Sequence, residues 1–144
     1  MQTLVLSALD VLPDLGRRAA DLLAGELARR GWPAKTVDLC TAHIDFCRGC
    51  GACSLTSPGR CGRKDDMQEI LPAIVRAGCL VLATPVFFGG HHPVLKQAVD
   101  RFLPLAAPVW VAREGELHHA MRYPNRPALL GLGVLSAPDP DQGG

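Results

Sequence analysis

Four cysteines, Cys47, Cys50, Cys53 and Cys61, stand in the spacing C-x2-C-x2-C-x7-C inside the stretch FCRGCGACSLTSPGRCGRKDDM, residues 46–67. Three thiols at every third position can converge on one centre from a tight loop, and the fourth returns on a longer arm. Thiolate is a soft ligand, so the knot reads first as an iron–sulfur or zinc site. Four thiolates also suit tetrahedral zinc. A redox disulfide, or thiols packed as small apolar groups, are the remaining readings. Arg60, Arg63 and Lys64 lie beside the knot. They can stabilise thiolates or an anionic cluster, or simply form a solvated loop. Cys40 and Cys79 fall at the end of one predicted strand and the start of another, and both read as core residues.

The chain around this loop has 144 residues, 48% apolar and 20% charged, with a net charge of +1. That balance suits one domain with one core, over residues 1–135. It carries a Cys-rich loop at 46–66, an excursion at 109–127 and a flexible tail at 136–144. The near-zero charge excludes a broad basic surface and gives no electrostatic case for nucleic acid. The longest apolar runs, such as Cys79 to Ala83, are too short to span a bilayer. The opening MQTLVLSALD has no basic n-region or cleavage site, so it does not read as a signal peptide. The expected location is the reducing cytoplasm, where clustered cysteines mean metal, cluster or redox chemistry more often than a disulfide scaffold.

Positioning the loop is the task of alternating strands and helices. Leu4-Val5-Leu6 reads as a buried parallel strand. Leu15 to Arg30 follows a helical period, with Leu15, Ala19, Leu22, Leu23 and Leu27 on one face and charges opposite, and Gly31 as its C-cap. Lys35 to Leu39 is the second strand, completing a βαβ unit. After the cysteines, Asp65 and Asp66 with Gln68 and Glu69 form a capping-box signature in two registers. Met67, Ile70, Leu71, Ile74 and Val75 then mark a helix, which Pro72 is expected to kink or split. Cys79 to Ala83 is an apolar central strand. Thr84-Pro85-Val86-Phe87-Phe88-Gly89-Gly90 is expected to leave its carboxyl end as a loop, where open α/β sheets bind ligands. A helix entered through Pro93 buries Val94, Leu95, Ala98, Val99 and Phe102 and is broken by Pro104 and Pro108. Residues 109–127 read as a loop or excursion with little regular structure. Ala128 to Leu135 is a fourth strand. No fifth strand follows, so the sheet should have four strands or an edge covered by another chain. The fold class is therefore α/β, a doubly wound parallel sheet of order 2-1-3-4.

Three blocks carry a family likeness: the C-x2-C-x2-C run with Gly59, Cys61 and Asp65-Asp66-Met67; Thr84-Pro85-Val86-Phe87-Phe88; and Lys96 through Asp100-Arg101. In these the chain resembles the flavodoxin-like NAD(P)H-dependent FMN reductases, particularly the iron–sulfur flavoprotein branch. The likeness spans Phe46 to Arg101. It implies a flavodoxin-like fold, bound FMN, two-electron exchange with a nicotinamide (NADH or NADPH) or a quinone, and a homodimer or tetramer. It also implies a [4Fe–4S] cluster on Cys47, Cys50, Cys53 and Cys61 in cluster-bearing relatives, and a Thr84–Gly90 segment lying against the isoalloxazine ring. The expected partners are a small-molecule electron acceptor or a redox protein, with no nucleic acid and no membrane. No side chain need act as acid or base, because the flavin carries the electrons.

The chain departs from the family at the first loop. Relatives hold the FMN phosphate there with hydroxyls and backbone amides at a helix N-terminus. Here the stretch is SALDVLPDLG, residues 7–16. Ser7 is its one hydroxyl donor, Asp10 and Asp14 would repel a dianion, and Arg17 or Arg18 would have to compensate. Two further functions compete with the oxidoreductase: a flavin-less interaction subunit that keeps the fold, and a small protein whose cysteine loop binds zinc or iron. His91-His92 reads as a polar helix entry or as a nicotinamide contact, and His118-His119 with Arg122-Tyr123 as an interface, a lid or catalytic groups. Asp100-Arg101 is expected to be a structural pair at a helix end.

Overall fold

The computed structural model of the chain describes residues 2–135, and the expected tail at 136–144 lies outside them. Strand β1 (Thr3–Ser7) leads through a short 3-10 turn (Leu9–Val11) into helix α1 (Pro13–Arg29), then strand β2 (Ala34–Asp38). The cysteine segment contains one helical turn, α2 (Ala52–Leu55). Helix α3 (Met67–Arg76) and strand β3 (Cys79–Phe87) follow. Next come the short strand β4 (Gly90–His91), helix α4 (Pro93–Val99) and a 3-10 turn over Asp100–Leu105. Strands β5 (Ala106–Arg113), β6 (Glu116–Met121) and β7 (Ala128–Val134) complete the order.

The main sheet runs β2-β1-β3-β7, all parallel. This is the expected order 2-1-3-4, with β7 as the fourth long strand. Side chains alternate across it as a pleated strand requires. Leu4, Leu6 and Leu80 turn to one face and pack on Ile70, Ile74, Leu95 and Ala98 from α3 and α4. Val5, Val81 and Ala83 turn to the other and pack with Leu9 and with Leu27 of α1. Helices on both faces make the sheet doubly wound. The register places Ser7 beside Asp38 on one side and beside Ala83 on the other, with Pro85 beside Val134. The carboxyl ends of all four strands thus share one rim.

Four expectations need correction. Pro72 neither kinks nor splits α3, which is continuous. Its missing N–H costs one bond, to the carbonyl of Gln68, on an exposed side of the helix where water can replace it. Residues 109–127 are not irregular: β5 and β6 pair as an antiparallel hairpin, with Trp110 opposite His119 and Arg113 opposite Glu116. The hairpin escapes an alternation test because nearly all of its residues are exposed on both faces. Thr84 to Gly90 is not a loop leaving the strand either. β3 continues to Phe87 and folds back on β4 in a second antiparallel hairpin. Cys40 is exposed, unlike the buried Cys79.

Residues that join elements account for the remaining order. Gly31 adopts φ +66° after α1 and lets Trp32 N–H reach the Leu27 carbonyl at 2.9 Å, a left-handed helix stop. Asn125 donates from Nδ2 to the carbonyls of Val75 (2.6 Å) and Ala77 (2.8 Å), satisfying the frayed end of α3. Gly16, in the first turns of α1, is packed so closely that a Cβ there would lie 2.0 Å from the Leu9 carbonyl oxygen. The Gly16→Ala variant should therefore lose roughly 2–3 kcal/mol in urea unfolding, because the 3-10 turn and α1 must part to admit the methyl group. Gly25→Ala, on the same helix with nothing within 4 Å of the new methyl, should be neutral or slightly stabilising.

Candidate functional site

The exit of β2 carries the cysteine loop, and the loop is fastened at its two ends. Asp66 Oδ2 accepts from the His43 amide at 2.8 Å, and Asp65 Oδ2 accepts from the Asp45 amide at 3.0 Å. Asp65 Oδ1 takes the Met67 amide at 3.2 Å. Neither aspartate makes the expected capping box: Asp66 is the N-cap of α3 but offers no side-chain bond to the helix. The Asp66 carboxylate closes the loop neck, and that of Asp65 both closes it and takes the first amide of α3.

Arg101 completes the closure. Its side chain is 2% exposed and that of Asp65 is 0% exposed. Nη1 donates to Asp65 Oδ2 at 2.6 Å and to the Asp45 carbonyl at 2.6 Å. Nη2 donates to Asp65 Oδ1 at 3.1 Å and approaches Cys61 Sγ at 3.5 Å. Asp100 and Arg101 are thus not partners of each other. Asp100 pairs with Lys96 one helical turn back, and Arg101 reaches across to Asp65. Arg63 pairs with Asp45 at the same neck.

The loop itself needs left-handed backbone at Gly49, Gly51 and Gly59. At Gly59 the position is doubly restricted, since a Cβ would lie 3.0 Å from Arg122 Cδ and 3.1 Å from the Tyr123 hydroxyl. Arg122 is held in turn by the carbonyls of Pro104 and Ala106, each at 3.1 Å. Cys47, Cys50, Cys53 and Cys61 all line one open cavity of about 420 Å³, together with Arg63, Arg101 and Leu103. The thiols surround this space instead of converging on a point: among the described residues no three His, Cys, Asp or Glu side chains are gathered for a single metal ion.

The exit of β3 is the second part of the rim. Thr84 and Pro85 are buried. The Thr84 hydroxyl accepts from the His92 amide and donates to the Pro85 carbonyl, both at 2.9 Å. Val86 and Phe87 pair with His91 and Gly90. Phe88 and Gly89 form the turn with φ of +48° and +73°, the signature of a type I′ hairpin. Their amides donate to no other backbone group among the described residues. Phe87 and Phe88 are exposed, Phe88 completely. His92 caps α4, accepting from the Val94 amide at Nδ1, and meets Phe87 edge-on at 5.3 Å. His118 and His119 do not join this rim. His119 stacks on Trp110 at 4.0 Å within the β5–β6 hairpin, and His118 faces Glu116.

The exit of β1 is closed. Ser7 is buried, and its hydroxyl accepts from the Leu9 amide at 3.3 Å. Ala8 and Leu9 are fully buried and fill the notch between β1 and α1. The cap of α1, Leu12, has no side-chain hydrogen bond, and Pro13 has no N–H to offer. Asp10, Asp14 and Arg17 point to solvent, and Arg17 makes no ion pair among the described residues.

A parallel doubly wound sheet with its chemistry-bearing loops on the carboxyl rim defines an α/β domain of the flavodoxin-like class. The chain belongs to the NADPH-dependent FMN reductase family, whose model matches residues 1–124. An iron-sulfur flavoprotein of Archaeoglobus fulgidus is 31% identical over 84 residues, which cover 58% of this chain and 37% of that protein. An iron-sulfur flavoprotein of Methanocaldococcus jannaschii is 34% identical over 79 residues, covering 55% and 40%. The chain spans between 37% and 48% of the length of the curated relatives it matches. RosB, solved with bound 8-demethyl-8-formylriboflavin-5'-phosphate, superposes with a TM-score of 0.56 at 17% identity. The superposition covers 70% of this chain and 41% of that one, and supports the shared fold.

The residues of the rim fit an iron–sulfur cluster and FMN, the groups for which the relatives and the family are named, unequally. An iron–sulfur cluster fits: four thiols line one cavity, and Arg101 Nη2 approaches the Cys61 Sγ at 3.5 Å. FMN fits at one end. The Phe87–Gly90 turn offers free amides and aromatic faces to a ring. At the β1–α1 notch the Ser7 hydroxyl already accepts from the Leu9 amide, Gly16 is pressed against the Leu9 carbonyl, and Asp10 and Asp14 stand nearby to repel a phosphate.

The neck makes a direct prediction. Burial alone would raise the Asp65 carboxyl, but the Arg101 guanidinium and the backbone amides outweigh it and hold it below the usual range. A depressed folded-state pKa means this stabilisation is complete above about pH 4 and is lost as pH falls through the Asp65 titration. Arg101→Met strands the carboxylate and should cost about 3–5 kcal/mol at pH 7 in denaturant unfolding, with Arg101→Met/Asp65→Leu recovering most of the loss. An equal loss in the double variant would refute this account of the neck.

Proposed function

We propose that the chain is the electron-handling domain of a flavoprotein-family oxidoreductase that moves electrons between a nicotinamide or protein donor and a small acceptor. The observation that carries this reading is the single cavity shared by Cys47, Cys50, Cys53 and Cys61 on the carboxyl rim of the sheet. Those four thiolates would hold a [4Fe–4S] cluster, which supplies one-electron transfer when bound. The remaining residues fix where that happens. Asp65 and Asp66 close the loop neck, Arg101 donates toward Cys61 Sγ, and the three left-handed glycines turn the backbone around the cavity. Spread thiols around a sizeable space favour a polynuclear group over a single zinc ion.

FMN enters this reading at its ring. The exposed Phe87 and Phe88 and the free turn amides support a ring seat beside Thr84. The β1–α1 notch, with Leu9 buried in it and two aspartates beside it, does not suit its phosphate. That notch favours a second reading, a cluster-bearing subunit that keeps the fold without a flavin. Exposed Val109, Trp110, Leu117, Leu129 and Leu130 support association with further copies of the chain in either case.

Anaerobic purification separates the readings. About four iron and four sulfide per chain are expected, falling sharply in Cys61→Ser while the circular dichroism stays native. FMN released on denaturation in equal amount supports the first reading, and a cluster without FMN supports the second. Protein that stays free of iron after anaerobic incubation with ferrous iron and sulfide would sink both.

A further inference from the structure

Behind Cys61 lies a second cavity, of about 370 Å³, between the return arm of the cysteine loop and the outer side of α3. Its volume falls in the range of small-molecule sites. Met67, Leu71, Val75 and Leu105 supply an apolar floor. None of its lining residues is acidic, yet four are arginines: Arg60, Arg63, Arg76 and Arg101. Two of these charges are already answered, Arg63 by Asp45 and Arg101 by Asp65. Arg60 and Arg76 form no ion pair among the described residues. The Tyr123 phenol also lines the space. Pro72, in the same wall, has no N–H to give the Gln68 carbonyl one turn back, so an acceptor is left there as well.

These features select a ligand class. A bare inorganic anion would meet only exposed arginines and leave the apolar floor wet. An uncharged ring would cover the floor and leave the two cations unanswered. Gln68 and Arg76 are eight positions apart on one helix, about 12 Å along its axis. That is the length of a two- or three-ring aromatic with its charged group.

We propose that this cavity binds a small amphipathic anion: a planar aromatic system bearing one carboxylate, sulfonate or phosphate group. The ring lies on Leu71, Val75 and Leu105, and the anion is drawn by Arg60 and Arg76. Cys61, Arg63 and Arg101 line this cavity and the cysteine cavity alike. A ligand here is therefore separated by one wall from the space the four thiols enclose, a position suited to a reactant that exchanges electrons. Binding needs only the cavity; the electron-exchange role rests on the cluster proposed above.

Fluorescence titration with 2-naphthalenesulfonate, and with the neutral 2-naphthalenesulfonamide of similar shape, tests the site on the full chain. The sulfonate should bind saturably and more tightly than the sulfonamide. Arg60→Gln/Arg76→Gln should weaken the sulfonate by roughly 10-fold, as loss of two exposed charge contacts allows, and leave the sulfonamide within about 2-fold. Val75→Glu, which puts a carboxylate into the floor, should weaken both. Binding that persists in Cys47→Ser protein, which cannot assemble a complete cluster, shows that the site stands even if the cluster does not. No saturable binding to folded protein, equal affinity for the two probes, or an unchanged sulfonate affinity in the double arginine variant would each overturn the proposal.

Discussion

Arg101 and Asp65 meet where water does not reach them, and most of what is distinctive in this chain depends on that meeting. A buried ion pair adds little net stability relative to well-packed apolar residues, because desolvation offsets most of the attraction. What it supplies is geometry. The guanidinium fork engages both oxygens of Asp65, the Asp45 carbonyl and the edge of Cys61. It thereby ties the start of the cysteine loop, its end, the first turn of α3 and the 3-10 turn after α4 at one place. Arg101 Nε is left without a partner, a sign that the fork is oriented by its two terminal nitrogens and by the shape of the neck.

From that fixed point the carboxyl rim of the sheet divides unequally. In a doubly wound sheet all strand exits open on one side, and each can host a binding loop. Here the β1 exit is filled by Leu9, with Gly16 pressed against its carbonyl. The β2 exit becomes the cysteine loop and the β3 exit becomes a tight hairpin. The chemistry is displaced toward β2 and β3, away from the helix N-terminus that would hold a phosphate in relatives of this fold. Asp10 and Asp14 reinforce the displacement, since both would repel a dianion at the mouth of the closed notch.

The parts of this arrangement that were legible in the sequence are those set by local periodicity. The face of α3 and the buried strands β1 and β3 follow from spacing, whereas the expected face of α1 holds only in part: Leu27 is buried, but Leu15 and Leu22 are exposed, and β2 and β7 are largely exposed. The cysteine knot was legible because its thiols are close in sequence. Three features were not. Asp65 fits a capping role so well that nothing points to Arg101, 36 residues on, as its partner. Thr84 to Gly90 carries Pro85 and two glycines, which read as a loop, although Pro85 is compatible with β3 because its strand partner contacts do not require every amide. The β5–β6 hairpin shows no alternation, since a ribbon exposed on both faces has no side to hide.

The tip of the β3–β4 hairpin brings the two halves of the rim together. A type I′ turn ordinarily places Asn, Asp or Gly where both φ values are positive. This chain places Phe88 there, fully exposed, at φ +48°. A bulky residue in left-handed backbone is strained by about 1 kcal/mol or more, and strain of this kind collects at ligand clamps. Phe88 has no core contact to offset it. The fold gains nothing from an aromatic ring at that point, whereas a flat ligand lying against Thr84 and the turn would gain a stacking face and two free amides. The ring end of the rim thus carries a strained, unpacked aromatic of the kind the proposed flavin-ring seat would use, while at β1 the buried Ala8 and Leu9 take up the strand exit.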